Sequence, residues 1–164
     1  MEILEALDKV HARKELDEKL NGKYLCSALT FLSGWDSKAT WELNFYDMGT
    51  HMITQVTTDG EPHIKTEGEP FKPRGVEIAE INISDLKVPV SRALATGKEH
   101  YDDKYKGVEV QKLFVALHGG ERPYWAISVI TKHLTIVIIE IDTIDGSVIK
   151  SKVHTVFDKK RLAS

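Results

Sequence analysis

The stretch Trp125-Ala126-Ile127-Ser128-Val129 alternates large apolar residues with small or polar ones, as a strand with one buried face does. The same arrangement occurs 84 residues earlier, in Trp41-Glu42-Leu43-Asn44-Phe45. In both stretches a Trp is followed by two apolar residues at alternate positions, and the same shift places Leu29 on Leu113. The sequence therefore predicts an internal duplication with an amphipathic strand in each copy.

The residues around Trp41 predict a helix followed by an antiparallel meander. Residues 2–20 contain no Gly or Pro and space their apolar side chains for a helix, which could bend near Ala12. Strand-like runs follow at residues 24–32, 41–46 and 51–58, and the short breaks between them favour antiparallel neighbours. Residues 60–75, rich in Gly, Pro and charge, predict a loop or an edge strand that ends in a connector.

The second half repeats this order. Ser84-Asp85 begins a helical pattern that Gly97 closes, with Pro89 in the first turn. Strands are predicted at residues 108–117, 122–131, 134–143 and 147–157. Residues 134–141 are apolar on both strand faces, so we expect cover on both sides. One cover is the helix of the same copy, and the other is the first copy, a second subunit or a ligand.

These patterns predict an α+β fold of two helix-plus-meander repeats. We place them at residues 1–75 and 76–164 and expect one compact unit. A chain of 164 residues, 41% hydrophobic and 29% charged, is typical of a folded protein and buries about 70% of its unfolded surface. With 22 basic and 25 acidic side chains its net charge is -3, which argues against nucleic acid or an anionic membrane as partner.

The chain shows no sign of export. A single cysteine, Cys26, cannot form an internal disulfide and is expected to be a small buried residue. The first eight residues are acidic and lack the basic and apolar regions of a secretory signal, and the apolar run at residues 134–141 is too short to span a bilayer. We therefore expect a cytoplasmic protein with no membrane span.

The second copy resembles the PepSY family. The resemblance lies in a Trp-containing strand at residues 121–129, a strand at 136–141 that leads into Asp142, and the turn Asp142-Thr143-Ile144-Asp145-Gly146 followed by an apolar strand. It covers residues 84–152, with a degenerate copy in residues 2–60. It implies a cystatin-like architecture, a helix packed on a curved antiparallel sheet. It also implies a binding or regulatory role, often connected with peptidase control.

Metal and cofactor chemistry find little support in the sequence. Seven histidines are present, but none has a recognised ligand spacing to another His, Cys or carboxylate. The pair that comes nearest to a metal-binding arrangement is His51 with His63, which could meet across a hairpin at Asp59-Gly60. Phosphate-binding loops and nucleophile elbows are also missing from the sequence. We expect no metal and no cofactor.

An enzyme reading would use residues at strand ends. His118, His133 and Tyr124, with Glu140 and Asp142, are the best candidates for acid–base chemistry. Polar residues at turns are more often only turn residues, so we assign no catalytic residue.

Binding is the alternative that we favour. Trp35 lies in a turn where no core-facing period explains it, and a large loop aromatic can anchor a contact. We assign Trp41, Trp125 and Tyr124 to the same role, and the 159–161 basic cluster could touch an anionic partner.

The sequence thus predicts a non-catalytic module that binds a protein or peptide through a sheet edge or the open sheet face, near Trp35 and residues 60–75. Two alternatives remain open. One is a small-molecule binder or small enzyme with a pocket between helix and sheet, and the other is a homodimer that buries residues 134–141.

Overall fold

The computed structural model of the chain describes residues 1–70 and 77–155. The first half contains α1 (Ile3–His11), α2 (Lys14–Lys19), β1 (Tyr24–Leu32), β2 (Glu42–Asp47), β3 (Met52–Thr57) and β4 (His63–Gly68). The second half contains a short 3₁₀ turn (Ile83–Asp85), α3 (Val90–Lys104), β5 (Val110–His118), β6 (Tyr124–Thr131), β7 (Thr135–Asp142) and β8 (Val148–Thr155).

The eight strands form one sheet in the order β4-β3-β2-β1-β5-β6-β7-β8, and every neighbouring pair is antiparallel. The two predicted meanders therefore join through β1 and β5, which pair from Ser27 with His118 to Leu32 with Leu113. An α+β class with an antiparallel sheet is confirmed. The predicted boundary at residue 75 lies outside the described residues.

The predicted strands all occur, with small changes at their ends. Residues 60–75 supply β4 as an edge strand, which is one of the two outcomes expected for them. The predicted last strand, residues 147–157, extends past the described part of the chain, where β8 ends at Thr155.

The first helix is bent where the sequence suggested. The α1 helix ends at His11, Arg13 takes an extended conformation at φ -87° and ψ 108°, and α2 begins at Lys14. The buried stripe of α1 consists of Ile3, Ala6, Leu7 and Val10.

The prediction for the second helix is wrong at both ends. The helix spans Val90–Lys104, and Gly97 lies in its middle. It cannot begin at Ser84, because a proline disfavours helical conformation in the residue before it, so Val88 separates the 3₁₀ turn from α3. Gly97 serves close packing and does not end the helix: a Cβ there would lie 2.8 Å from Cδ1 of Ile127.

The two Trp residues of the matching stretches meet in the core. Trp41 and Trp125 are both 0% exposed, and their ring centroids are 5.8 Å apart. The indole Nε1 of Trp41 donates to the carbonyl of Met1, two residues before α1 begins. The indole Nε1 of Trp125 donates to the carbonyl of Val88, two residues before α3 begins. Each Trp thus ties a strand to the start of the helix in its own half.

The helices pack on one face of the sheet. One continuous core contains the apolar side chains of α1, α2 and α3 together with inward residues of both sheet halves. On the other face, β1 presents Leu29 and Phe31 and β7 presents Ile136 and Ile138, none of them fully buried. The predicted second cover over residues 134–141 is not found among the described residues.

Candidate functional site

Two of the three acid–base candidates come together. His118 ends β5 and Tyr124 begins β6, so the strand register pairs them, and their rings stack with centroids 5.2 Å apart. Tyr124 is in turn paired with Asp142 of β7. The three residues form a row across one end of the open sheet face.

His133 does not belong to this group. It lies in the turn between β6 and β7, whereas Tyr124 is at the other end of β6. Eight strand residues at about 3.3 Å each separate the two ends, so they cannot act on one substrate atom. The structure therefore divides the predicted acid–base set.

The ionisation of the stacked pair is unfavourable for acid–base work near neutral pH. Desolvation lowers the pKa of His118, although the Glu140 carboxylate opposes the shift, so the imidazole stays neutral. Desolvation, with Glu140 assisting, raises the pKa of Tyr124, so the phenol keeps its proton. Neither ring is tuned towards proton transfer at pH 7.

Asp142 holds a turn together. Its Oδ1 accepts the N–H groups of Ile144 at 2.7 Å and Asp145 at 3.2 Å, and its Oδ2 lies 2.7 Å from Arg122. Burial alone would raise the pKa of this carboxyl, but the Ile144 N–H, Arg122 and the Asp145 N–H outweigh it and hold the pKa below its usual range. The Asp-x-x-x-Gly pattern is therefore a turn motif in this fold, closed by Gly146 at φ 77°.

The Trp residues assigned to binding have other roles. Trp41 and Trp125 lie wholly inside the core, where they have no surface to offer a partner. Trp35 is half-buried on the helix side, with its ring centroid 5.9 Å from that of Tyr101 in α3. It therefore packs over a helix, on the face opposite the open one.

His51 and His63 lie at opposite ends of β3. His51 contacts the Tyr46 hydroxyl through Nδ1 at 2.9 Å, while His63 pairs with Thr57 at the start of β4. In the described ranges, 1–70 and 77–155, no group of three or more His, Cys, Asp or Glu side chains could hold a metal ion. Nor does any helix of these ranges have the length and apolar character needed to cross a membrane.

The open sheet face carries an apolar surface that the site predictions missed. Phe31 of β1 is 67% exposed and contacts Phe114 of β5, with ring centroids 4.8 Å apart and ring planes tilted by 42°. We call this surface the open-face patch, and it consists of Leu29, Phe31, Phe114, Ala116, Ala126, Ile130, Ile136 and Ile138. The sequence signal for this surface is a strand apolar on both faces, which occurs at residues 134–141 and also in β1, where Leu29 and Phe31 face away from the helices.

Charged side chains border the open-face patch. Lys112 lies two residues before Phe114 on β5, and β8 places Lys150, Lys152 and His154 beside β7. Lys150 is 3.6 Å from Glu140. On the other side of the patch, Glu42 pairs with Lys65. The border along β8 is therefore mainly cationic.

The main cleft on the helix side has a volume of about 560 Å³. It lies between α1, the start of β1 and the segment that precedes the 3₁₀ turn. Its lining is Leu7, His11, Lys23, Tyr24, Leu25, Phe45, Glu80, Ile81, Asn82 and Ile83. This cleft is where the structure offers space for a small molecule between helix and sheet.

Comparison with known proteins gives a fold relationship alone. No family model matches the chain, and no curated protein matches it. The chain is similar to the crystal structure of a putative lipoprotein from Clostridium difficile 630, with a TM-score of 0.56 and 11% sequence identity. The match covers 87% of this chain and 90% of that one.

Proposed function

We propose that the chain is a non-catalytic binding module and that the open-face patch is its protein-contact surface. One observation carries the proposal: Phe31 stands 67% exposed on the β1 side of the open-face patch, with its ring centroid 4.8 Å from that of Phe114. Aromatic anchors surrounded by smaller contacts are typical of the energetic centre of a protein interface. An apolar sheet face without a covering layer marks an interaction site more often than an ordinary surface.

The open-face patch suits a partner better than either sheet edge. The edge strand β8 carries Lys150 and Lys152, and lysines on an edge discourage pairing with another strand. The other edge strand, β4, is polar and largely exposed. Trp35 lies on the helix side and β4 at a sheet edge, so Trp35 and the described residues 60–70 do not form the single surface that we expected.

The proposal includes an internal duplication of one helix-plus-meander unit that resembles the PepSY family. The matched indole bonds of Trp41 and Trp125 and the symmetric strand order support two copies of one helix-plus-meander unit, fused through β1 and β5. Peptidase regulation and a cytoplasmic location stay predictions from the sequence.

The test compares two exposed apolar residues on opposite sides of the protein. Phe31→Ser alters the open-face patch, while Leu4→Ser alters α1, where Leu4 is 43% exposed. Each variant and the parent are immobilised and exposed to lysate of the source organism. We expect a protein that the parent and Leu4→Ser retain and Phe31→Ser loses. Identical retention by all three would refute the open-face patch as the contact surface.

A small-molecule binder remains the second candidate, supported by the cleft of about 560 Å³ between α1 and β1. Its lining includes His11, Lys23 and Glu80, which could orient a polar ligand. Thermal-shift screening against metabolites tests it, with Lys23→Ala as the variant. A ligand that raises the melting temperature of the parent and not of Lys23→Ala supports this candidate. No such ligand in a broad screen counts against it.

A further inference from the structure

We propose that the open-face patch receives an amphipathic α-helix whose flanks are acidic. This inference deepens the proposed function and rests on it, because it names the partner chemistry for the same surface. It follows from three features of the face: its backbone pairing, its width and the charge of its border.

Backbone pairing limits the kind of segment that can lie on the patch. The strands under its centre, β5 and β6, each have a hydrogen-bonded neighbour on both sides. They offer no free N–H or C=O to an incoming chain, unlike a sheet edge. A segment buried on this face must satisfy its own backbone groups, because an unpaired buried amide is costly. A helix does so within itself, whereas an extended peptide cannot.

The width of the face suits a single helix. Of the patch residues on β5 and β6, Ala116 and Ala126 are small, whereas Phe114 and Ile130 are large and offer apolar contacts. Strands β1 and β7 are three strand spacings apart, or about 14 Å. A helix is about 10–12 Å across with its side chains, so one helix matches the width of the face between β1 and β7. It would give the sheet a helical layer on its second face.

The charge of the border determines the polarity of the occupant. Among the described residues, Lys150 is ion-paired with Glu140, whereas Lys112 and Lys152 have no ion-pair partner. The imidazole of His154 lies on the same border, beside Ile136. The chain as a whole has a net charge of -3, so this cationic border runs against the average. Carboxylates on the flanks of a docked helix would complement it and speed association.

The experiment selects binders from a displayed library of single-helix peptides about 18 residues long, enough to span a strand of the sheet. Their surface positions are randomised with equal shares of acidic and basic residues. The full chain is the target. Selected peptides are then measured by fluorescence anisotropy against the parent, Phe31→Ser, the double variant Lys112→Glu/Lys152→Glu, and the control Lys14→Glu/Lys87→Glu on the helix side.

We expect the selected peptides to be acidic, with apolar residues at helical spacing. Phe31→Ser and Lys112→Glu/Lys152→Glu should each weaken binding by about tenfold or more, while the helix-side control leaves it unchanged. A proline placed mid-peptide should abolish binding.

Two results separate the failure of this inference from that of the proposed function. Basic or non-helical peptides whose binding still depends on Phe31 would overturn the acidic helix and leave the contact surface standing. Recovery only of peptides indifferent to Phe31→Ser would overturn both. Self-association of the parent that Phe31→Ser disrupts, seen by light scattering, would make a second copy the occupant and also overturn the inference.

Discussion

Two aromatic pairs, one on each face of the sheet, have opposite environments. On the helix-covered face Trp41 and Trp125 meet at 5.8 Å with no exposed surface. On the open face Phe31 and Phe114 meet at 4.8 Å, and Phe31 is 67% exposed. Both pairs link the first and second halves of the chain. The comparison shows that an aromatic pair on neighbouring segments of the sheet becomes part of the core where helices cover it and part of the surface where they do not.

The largest effect should come from removing one member of the covered pair. Trp125→Ala deletes a fully buried indole and its hydrogen bond to Val88, so we expect the free energy of unfolding to fall by about 3–5 kcal/mol. Phe31→Ala should cost less than about 1 kcal/mol, because its ring is mostly solvated. Urea denaturation measures both. Similar losses for the two variants would contradict the division between the faces.

The next effect concerns two buried threonines on the covered side. The Thr30 hydroxyl has no hydrogen-bond partner, whereas that of Thr143 lies 2.8 Å from the carbonyl of Pro123. Thr30→Val should therefore stabilise the fold by about 1 kcal/mol, and Thr143→Val should destabilise it by about 1–2 kcal/mol. Denaturation curves for the two variants provide the check. A loss of stability in Thr30→Val would show that its hydroxyl is paired in solution.

A smaller effect should arise where α3 touches the sheet. Gly97→Ala places a Cβ 2.8 Å from Cδ1 of Ile127, and the overpacking should outweigh the gain in helix propensity by about 1 kcal/mol. Ile127→Val removes the clashing methyl. In that background Gly97→Ala should become stabilising, which a double-mutant cycle measures. If the cycle shows no coupling between the two positions, the close approach is not what requires glycine.

The smallest effect is a pH dependence at the end of the open face. Asp142 has a pKa below its unfolded value of about 3.9, so its contribution is complete above that pH and is lost as the pH falls through the lower folded pKa. Asp142→Asn should flatten the fall in unfolding free energy between about pH 4 and pH 2. The Asp47 pKa is lowered mainly by the Gly49 N–H, and Asp47→Asn is the control for a more exposed turn. If neither Asp142→Asn nor Asp47→Asn changes the slope of unfolding free energy against pH relative to the parent, the role assigned to Asp142 is contradicted.

Local signals predicted the strands well and the site poorly. Alternating residues identified most of the strands, since a strand with one buried face reads directly from the sequence, whereas β4 was left between a loop and an edge strand. Gly97 was misread as a stop, because a glycine required by a neighbouring Ile127 looks the same as one required by a turn. Trp41 and Trp125 present a similar ambiguity. The sequence shows that each is a large aromatic residue but not whether the fold buries it or leaves it on the surface.

The acid–base group shows the same limit. The sequence placed His118 and His133 at strand ends, and the structure has His118 at the end of β5 and His133 in the turn after β6. Only the antiparallel register reveals that His118 and Tyr124 share one end of the sheet while His133 lies at the other. Residue spacing alone cannot say which ends of successive strands meet.

The sequence by itself determined the α+β class, the order of most strands along the chain and the buried face of those that alternate, because these depend on period and on turn residues within a few positions. The tertiary structure decided that the strands join into one sheet through β1 and β5. It also decided that the helices cover a single face, which leaves Phe31 and Phe114 open to solvent. These outcomes depend on pairing between distant segments, whose free energy comes from shared burial that no local stretch contains.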